Sequence, residues 1–225
     1  MMAIKKNIFI TALLAVGFNA YSQGRIMEYL DPNFQNSSLL YSKRPLTETP
    51  FLILEFSPGE VTLRSKSKTV QNVEIQYDIE KQHVLIRMGE EMGILDNKLV
   101  ESFKMTLPGQ KSPTVYVAKS FNGGIAYFEV LSDGDIKALK KSDKKKRSTE
   151  QATSTGYNDG AKQSEFIKTE SYYLFLSADQ LVPIKISKKS ILAALNNPKY
   201  EECGKTLNLK LNSVPDLITL LNDCK

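Results

Sequence analysis

The chain has 225 residues, 41% of them apolar, with 30 Lys and Arg against 25 Asp and Glu, one histidine, two cysteines and no tryptophan. That balance fits a globular chain with enough apolar surface for one good core or two small ones. A single histidine excludes a multi-histidine metal site and leaves any Ser-His triad dependent on His83.

The first 23 residues, MMAIKKNIFITALLAVGFNAYSQ, set Lys5 and Lys6 ahead of an apolar run over residues 8–18 and close on the small residues Ala20 and Ser22. This order predicts a secretory signal peptide over residues 1–22, removed before Gln23. The run is shorter than the roughly twenty residues a membrane span requires, and no later segment approaches that length. No cysteine stands close behind it to carry a lipid. The expectation is a soluble exported protein, periplasmic or extracellular, without a transmembrane segment after cleavage. Over residues 23–225, 28 Lys and Arg face 25 Asp and Glu, a net charge of +3.

Residues 39–43 (LLYSK) and 51–57 (FLILEFS) read as strands, and Pro58-Gly59 turns the chain into a hairpin partner in which Val61 and Leu63 alternate with Thr62 and Arg64. The cleanest strand follows: NVEIQYDI puts Val73, Ile75, Tyr77 and Ile79 on one side and Glu74, Gln76 and Asp78 on the other. After a polar turn at residues 80–82, Val84, Ile86 and Met88 alternate with His83 and Arg87. One apolar and one wet face mark an antiparallel sheet. Residues 89–96 read as a loop and 99–107 (LVESFKMTL) as the next strand.

Pro108, Gly109 and Pro113 bracket a turn before TVYVAKSF; Asn122-Gly123-Gly124 then supplies the positive-φ residues of a tight hairpin, and IAYFEVL returns. Ser132-Asp133-Gly134-Asp135 turns into IKALKK, the third strand of a meander. A weaker copy lies about 45 positions on, where Leu131, Ser132, Lys140, Ser142 and Lys144 recur as Leu176, Ser177, Lys185, Ser187 and Lys189. Between the copies, residues 140–163 hold almost no large apolar side chain, which predicts a long, exposed, mobile loop. Residues 172–176 and 181–186 form a second hairpin, with Pro183 suited to an edge strand.

Ser187 is placed to cap a short helix carrying Ile191, Leu192, Ala194 and Leu195, stopped by Asn196, Asn197 and Pro198. A second helix is expected from Ser213, with Asp216 at capping-box spacing and Leu217, Ile218, Leu220 and Leu221 on its apolar face. In an exported chain the pair Cys203 and Cys224 predicts one disulfide; two unpaired thiols are the alternative.

The motif order YLDPNFQNSSLLY, QNVEIQYDIEKQHVLI, YFEVLSDGDIKALKK and YYLFLSADQLVPIKISKKSILAAL resembles a group of small exported β-rich proteins of Bacteroidota-type Gram-negative bacteria, and the resemblance spans most of the chain after residue 22. It implies export and a β-rich fold; it brings no activity, cofactor or functional residue.

For chemistry the sequence offers little. No G-x-S-x-G, phosphate-binding loop, H-E-x-x-H or C-x-x-C occurs. A glycosidase needs two facing carboxylates, and the candidates are Glu90, Glu91 and Asp96 in one loop or Glu129, Asp133 and Asp135 around the central turn. Both sets occupy positions where turns favour acidic residues. The aromatics Tyr116, Tyr127, Phe128, Tyr172, Tyr173 and Phe175 flank that turn; strand spacing reads them as core and cross-strand pairs, and the lining of a ligand groove is the alternative.

The basic run is the remaining candidate. Lys137, Lys140, Lys141, Lys144, Lys145, Lys146 and Arg147 against Asp143 carry a net +6, which leaves the rest of the chain after residue 22 at −3. Such a dipole suits an anionic surface such as lipid headgroups, lipopolysaccharide or DNA, and a solvated linker is the bland alternative.

The reading is therefore a mainly β protein: an antiparallel meander curved into a sandwich-like or half-barrel sheet over residues 23–186, with two short helices in a segment at 187–225 packed on it. The expected function is that of an exported, non-enzymatic binding or envelope-associated accessory protein, needing no cofactor. Its partners would be anionic lipid, lipopolysaccharide or another envelope protein. An envelope glycan- or peptide-processing enzyme with unidentified carboxylates is the alternative.

Overall fold

A computed structural model of the chain describes residue 30 and residues 46–64, 68–89, 91–132, 134–149, 163–176 and 180–224. The expected signal peptide, the expected strand at 39–43 and most of the expected loop at 140–163 lie outside these residues.

Ten strands form one antiparallel sheet: β1 (Ser57–Leu63), β2 (Lys68–Asp78), β3 (His83–Met88), β4 (Glu91–Ile94), β5 (Val100–Met105), β6 (Thr114–Phe121), β7 (Gly124–Val130), β8 (Lys137–Thr149), β9 (Gln163–Phe175) and β10 (Leu181–Ile184). Their order across the sheet is β10-β9-β8-β7-β6-β5-β1-β2-β3-β4, with β10 and β4 as edges. The sheet is open, and the expected single meander is in fact two. β1 to β4 make one and β5 to β10 the other, because the chain leaves the β4 edge and crosses back so that β5 pairs with β1.

Local chemistry accounts for the irregularities. The register of β1 on β2 slips between Gly59 and Val61, opposite Asn72 at φ 58°, a bulge that bends the pair. A side chain at Gly59 would collide with the Lys104 carbonyl of β5, so glycine admits the neighbouring strand. Residues 51–55, expected as strand, form an irregular strap instead. It follows a 3-10 turn (Leu46–Glu48) and touches the sheet through the Phe51↔Asp78 bridge and the Leu52 N–H to Tyr77 carbonyl bond of 2.8 Å.

One face of the sheet carries the larger core, centred on a ring cluster from four strands. Phe103 stacks on Tyr116 at 4.7 Å, while Tyr77 and Tyr127 meet Phe103 edge-on at 5.4 and 5.2 Å. Tyr116, Tyr127 and Phe128 are thus buried core side chains, and Tyr172, Tyr173 and Phe175 are half-buried.

Three C-terminal helices, one more than expected, close a second core over β8 to β10: α1 (Lys188–Leu195), α2 (Pro198–Thr206) and α3 (Val214–Asp223). The Asn197-Pro198 pair that reads as a stop is also a start, since the Asn197 side chain accepts from the Lys199 N–H and Pro198 occupies the first turn. Ser187 and Ser213 cap α1 and α3 as the sequence predicts. Cys203 in α2 is bonded to Cys224 at the end of α3, across 5.9 Å between Cα atoms.

Candidate functional site

The basic run is strand, not loop. Residues 140–149, the first part of the expected exposed loop, belong to β8. β8 and β9 stay in register from Lys137↔Phe175 to Thr149↔Gln163, whereas β8 pairs with β7 only at Glu129↔Lys140 and Val130↔Leu139. Beyond Lys140 the β8–β9 hairpin leaves the sheet as a two-stranded arm.

The turn between β2 and β3 fills the fork where β7 and β8 part. Gln82, at φ 57°, accepts through Oε1 from the Tyr77 hydroxyl (2.6 Å) and the Tyr127 N–H (3.1 Å), and donates through Nε2 to the carbonyls of Ile79 (2.9 Å) and Ser142 (3.2 Å). Its own carbonyl accepts from Asn97 Nδ2 at 2.7 Å, and Asn97 Oδ1 accepts from the Tyr127 hydroxyl at 3.1 Å. One side chain thus replaces the ladder bonds that β7 and β8 forgo, a satisfied buried network.

The seven predicted contact residues have different fates. Lys144 is 5% exposed, and its ammonium donates to the carbonyls of Leu46 (2.7 Å), Thr49 (2.9 Å) and Phe51 (2.7 Å) in the strap and the turn before it. Three donors meet three acceptors, the full complement of an ammonium. Burial nevertheless pushes its pKa down to about 8, with the Lys168 charge acting the same way and Asp78 opposing.

Lys141 is 6% exposed, pairs with Asp143 and lies 5.4 Å from the Phe121 ring centroid. Lys140 bonds Glu129 at 2.7 Å and lies 4.0 Å from Glu170. Lys137 is half-buried opposite Phe175. Lys145, Lys146 and Arg147 are exposed. Directly across from Lys145 stands Ile167, 41% exposed and one of the few large apolar side chains at the surface.

The candidate carboxylates are not assembled for catalysis. Glu129 shares the Lys140 ammonium with Glu170, and Lys168, at 2.8 Å, holds Glu170 below the usual carboxylate range, opposite to the shift a general acid needs. Glu91 lies in β4, where a loop was expected, and Asp135 is exposed; Glu90 and Asp133 fall outside the described residues. Asp78 is pushed up by burial, but it serves as a turn cap that accepts from the N–H groups of Glu80 and Lys81. Among the described residues no group of three or more His, Cys, Asp or Glu side chains is placed to hold a metal ion.

At the β6–β7 hairpin end of the sheet lies an open groove of about 550 Å³, with Ile94, Leu95 and Ile125 as apolar lining and Asp96, Lys98 and Ser120 as polar groups. His83 borders it. Asp96 thus joins neither predicted carboxylate set but a groove built from three separate segments, a juxtaposition that strand spacing does not reveal. Gln82 and Asn97, which hold that region together, carry no sequence signal beyond their place in polar turns.

No family model matches the chain, and no curated protein or solved structure matches it either. No described helix is long and apolar enough to cross a membrane.

Proposed function

We propose that the chain is an exported binding or envelope-associated accessory protein, periplasmic or extracellular, that contacts anionic lipid surfaces through the outer part of the β8–β9 arm and catalyses nothing. Export is supported by the charged-apolar-small pattern of residues 1–22 and by the disulfide, a bond at home in oxidising compartments. The contact narrows from seven residues to three. The observation that carries it is the sorting of the basic run: Lys140, Lys141 and Lys144 are engaged by carboxylates or carbonyls, while Lys145, Lys146 and Arg147 are exposed, Lys145 across from the apolar Ile167 and Lys146 on the other face of the strand, across from Phe166. Exposed cations with an exposed apolar side chain directly across from one of them suit an anionic bilayer surface.

Each basic residue near such a surface contributes about 1 kcal/mol, so three give a preference for anionic over neutral vesicles on the order of a hundredfold at low salt. Co-sedimentation of the protein with phosphatidylglycerol and phosphatidylcholine vesicles tests it. The triple change Lys145→Gln, Lys146→Gln, Arg147→Gln abolishes the preference, and added salt weakens it in the unchanged protein. Equal partitioning of the unchanged protein to both vesicle types at low salt sinks the proposal.

A further inference from the structure

The groove beside the β6–β7 hairpin is independent of the arm and is built as a binding site. Its size lies within the range of small-molecule pockets, and it combines apolar lining with a few polar groups, as such pockets do. Its walls are fixed. The Leu95 N–H bonds the Val84 carbonyl at 2.9 Å, and the turn after it is closed by the Leu99 N–H to Asp96 carbonyl bond and the Lys98 N–H to Asp96 Oδ1 bond, both 2.9 Å. Asn97, between them, turns inward, bonded to the Gln82 carbonyl and the Tyr127 hydroxyl. The opposite wall is the tight hairpin where Phe121 pairs with Gly124, and the space beside Gly123 is open.

The functional groups left over define the ligand. The Lys98 side chain is exposed and enters no ion pair or hydrogen bond among the described residues, and the Ser120 hydroxyl is likewise uncommitted. Asp96 uses Oδ1 for its turn and leaves Oδ2. An anion alone would meet Lys98 favourably but Asp96 unfavourably; a neutral apolar molecule would leave both unused. A molecule carrying one anionic group for Lys98 and Ser120, hydroxyls to donate to Asp96, and a ring to lie on Ile94, Leu95 and Ile125 uses these three polar groups and the apolar lining together.

We infer that this groove binds a hydroxylated organic anion of the acidic-sugar class, with a carboxylate or phosphate on Lys98 and Ser120 and ring hydroxyls on Asp96.

Titration of the 15N-labelled protein with glucuronate, glucose 6-phosphate, glucose and inorganic phosphate, followed by amide shifts, tests the assignment. At least one acidic sugar shifts the amides of residues 96–98 and 120–124 saturably at up to about 10 mM, a weak-affinity range. Glucose binds at least tenfold more weakly. Lys98→Gln and, independently, Ser120→Ala weaken the acidic sugar, the first by about tenfold; both side chains are exposed, so folding is not at stake. Saturation by glucuronate alone, or by glucose 6-phosphate alone, identifies the anion as carboxylate or phosphate. Three results overturn the inference: no shift of these amides with either acidic sugar, equal shifts with inorganic phosphate alone, or affinity indifferent to Lys98→Gln. The Lys145, Lys146 and Arg147 triple variant binds the sugar unchanged, so failure of the arm and failure of the groove are told apart.

Discussion

Three consecutive lysines, Lys144, Lys145 and Lys146, are chemically identical and structurally unlike. Replacing Lys144 by Met keeps an unbranched stem and removes the terminal ammonium with its three donors. The Leu46 carbonyl still accepts from the Thr49 N–H at 3.3 Å, but the Thr49 and Phe51 carbonyls lose the ammonium bonds of 2.9 and 2.7 Å. A buried acceptor stripped of its partner costs about 1–3 kcal/mol. The loss is partly offset because the ammonium itself was costly to bury, as its lowered pKa indicates. The expected net loss is about 2–3 kcal/mol, with the strap and the arm loosening together. Urea unfolding followed by far-UV circular dichroism measures it, with Lys145→Met as the comparison that leaves the midpoint where it was. If the two variants unfold at the same urea concentration, the cage does not hold the arm and the reasoning is wrong.

Other consequences are equally open to measurement. Gln82→Leu deprives the Tyr127 N–H and the Ser142 carbonyl of a partner; it is expected to cost about 3 kcal/mol and to speed amide exchange in β8, and unchanged exchange there would refute the wedge. Stability should rise with pH from about 8 towards 10, because folded Lys144 releases its proton before the unfolded chain does. It should fall above pH 10, because burial keeps Tyr77, Tyr116 and Tyr127 protonated when unfolded tyrosines ionise. A midpoint that declines steadily from pH 8 would contradict the Lys144 part. Joint replacement of Cys203 and Cys224 by Ser opens a link of sequence separation 21 and should cost about 3 kcal/mol in urea unfolding; an unmoved midpoint would show the helices hold without it. Tyr116→Phe removes a buried hydroxyl with no hydrogen-bond partner among the described residues, so the variant should be as stable as the parent or more so by about 1 kcal/mol, and a clear loss would reveal a bond through that hydroxyl.

The strands that were legible are those that read as having one dry and one wet face. In β2 and β3, Val73, Ile75, Tyr77, Val84 and Ile86 announce themselves because every second residue enters the larger core, although the other face is not wet as expected: Gln76, Asp78 and Leu85 are buried there, Leu85 against Phe51 of the strap. β4 escapes this logic: EMGI is four residues long, and its Gly93 leaves space that Leu30 fills. α2 escapes it too, because PKYEECGKT buries fully only Gly204 and relies on its caps and the disulfide. β8 is hidden by composition. A run of lysines signals solvent, yet carboxylates, an aromatic ring and three carbonyls of the strap and the turn before it take up the charge on Lys140, Lys141 and Lys144. These partners lie up to 98 positions away in sequence, beyond the reach of any local pattern. The groove was illegible for the same reason, since Asp96, Lys98 and Ser120 meet only through the way β6 and β7 lie against the end of β3.

Among the described residues the ten-stranded open sheet has two margins without a partner strand, and each is a template on which a second chain could add a strand. Here both margins are blunted. β10 is four residues long and carries Pro183, which has no N–H to offer an incoming strand. β4 is equally short, and just past its end Leu95 is bridged to Leu30 of the same chain. The large sheet is therefore defended against growth into aggregates at its two shortest strands. Its longest hairpin, the β8–β9 arm, has further outer edges with no partner strand among the described residues, and there the exposed Lys145, Lys146 and Arg147 do the blunting.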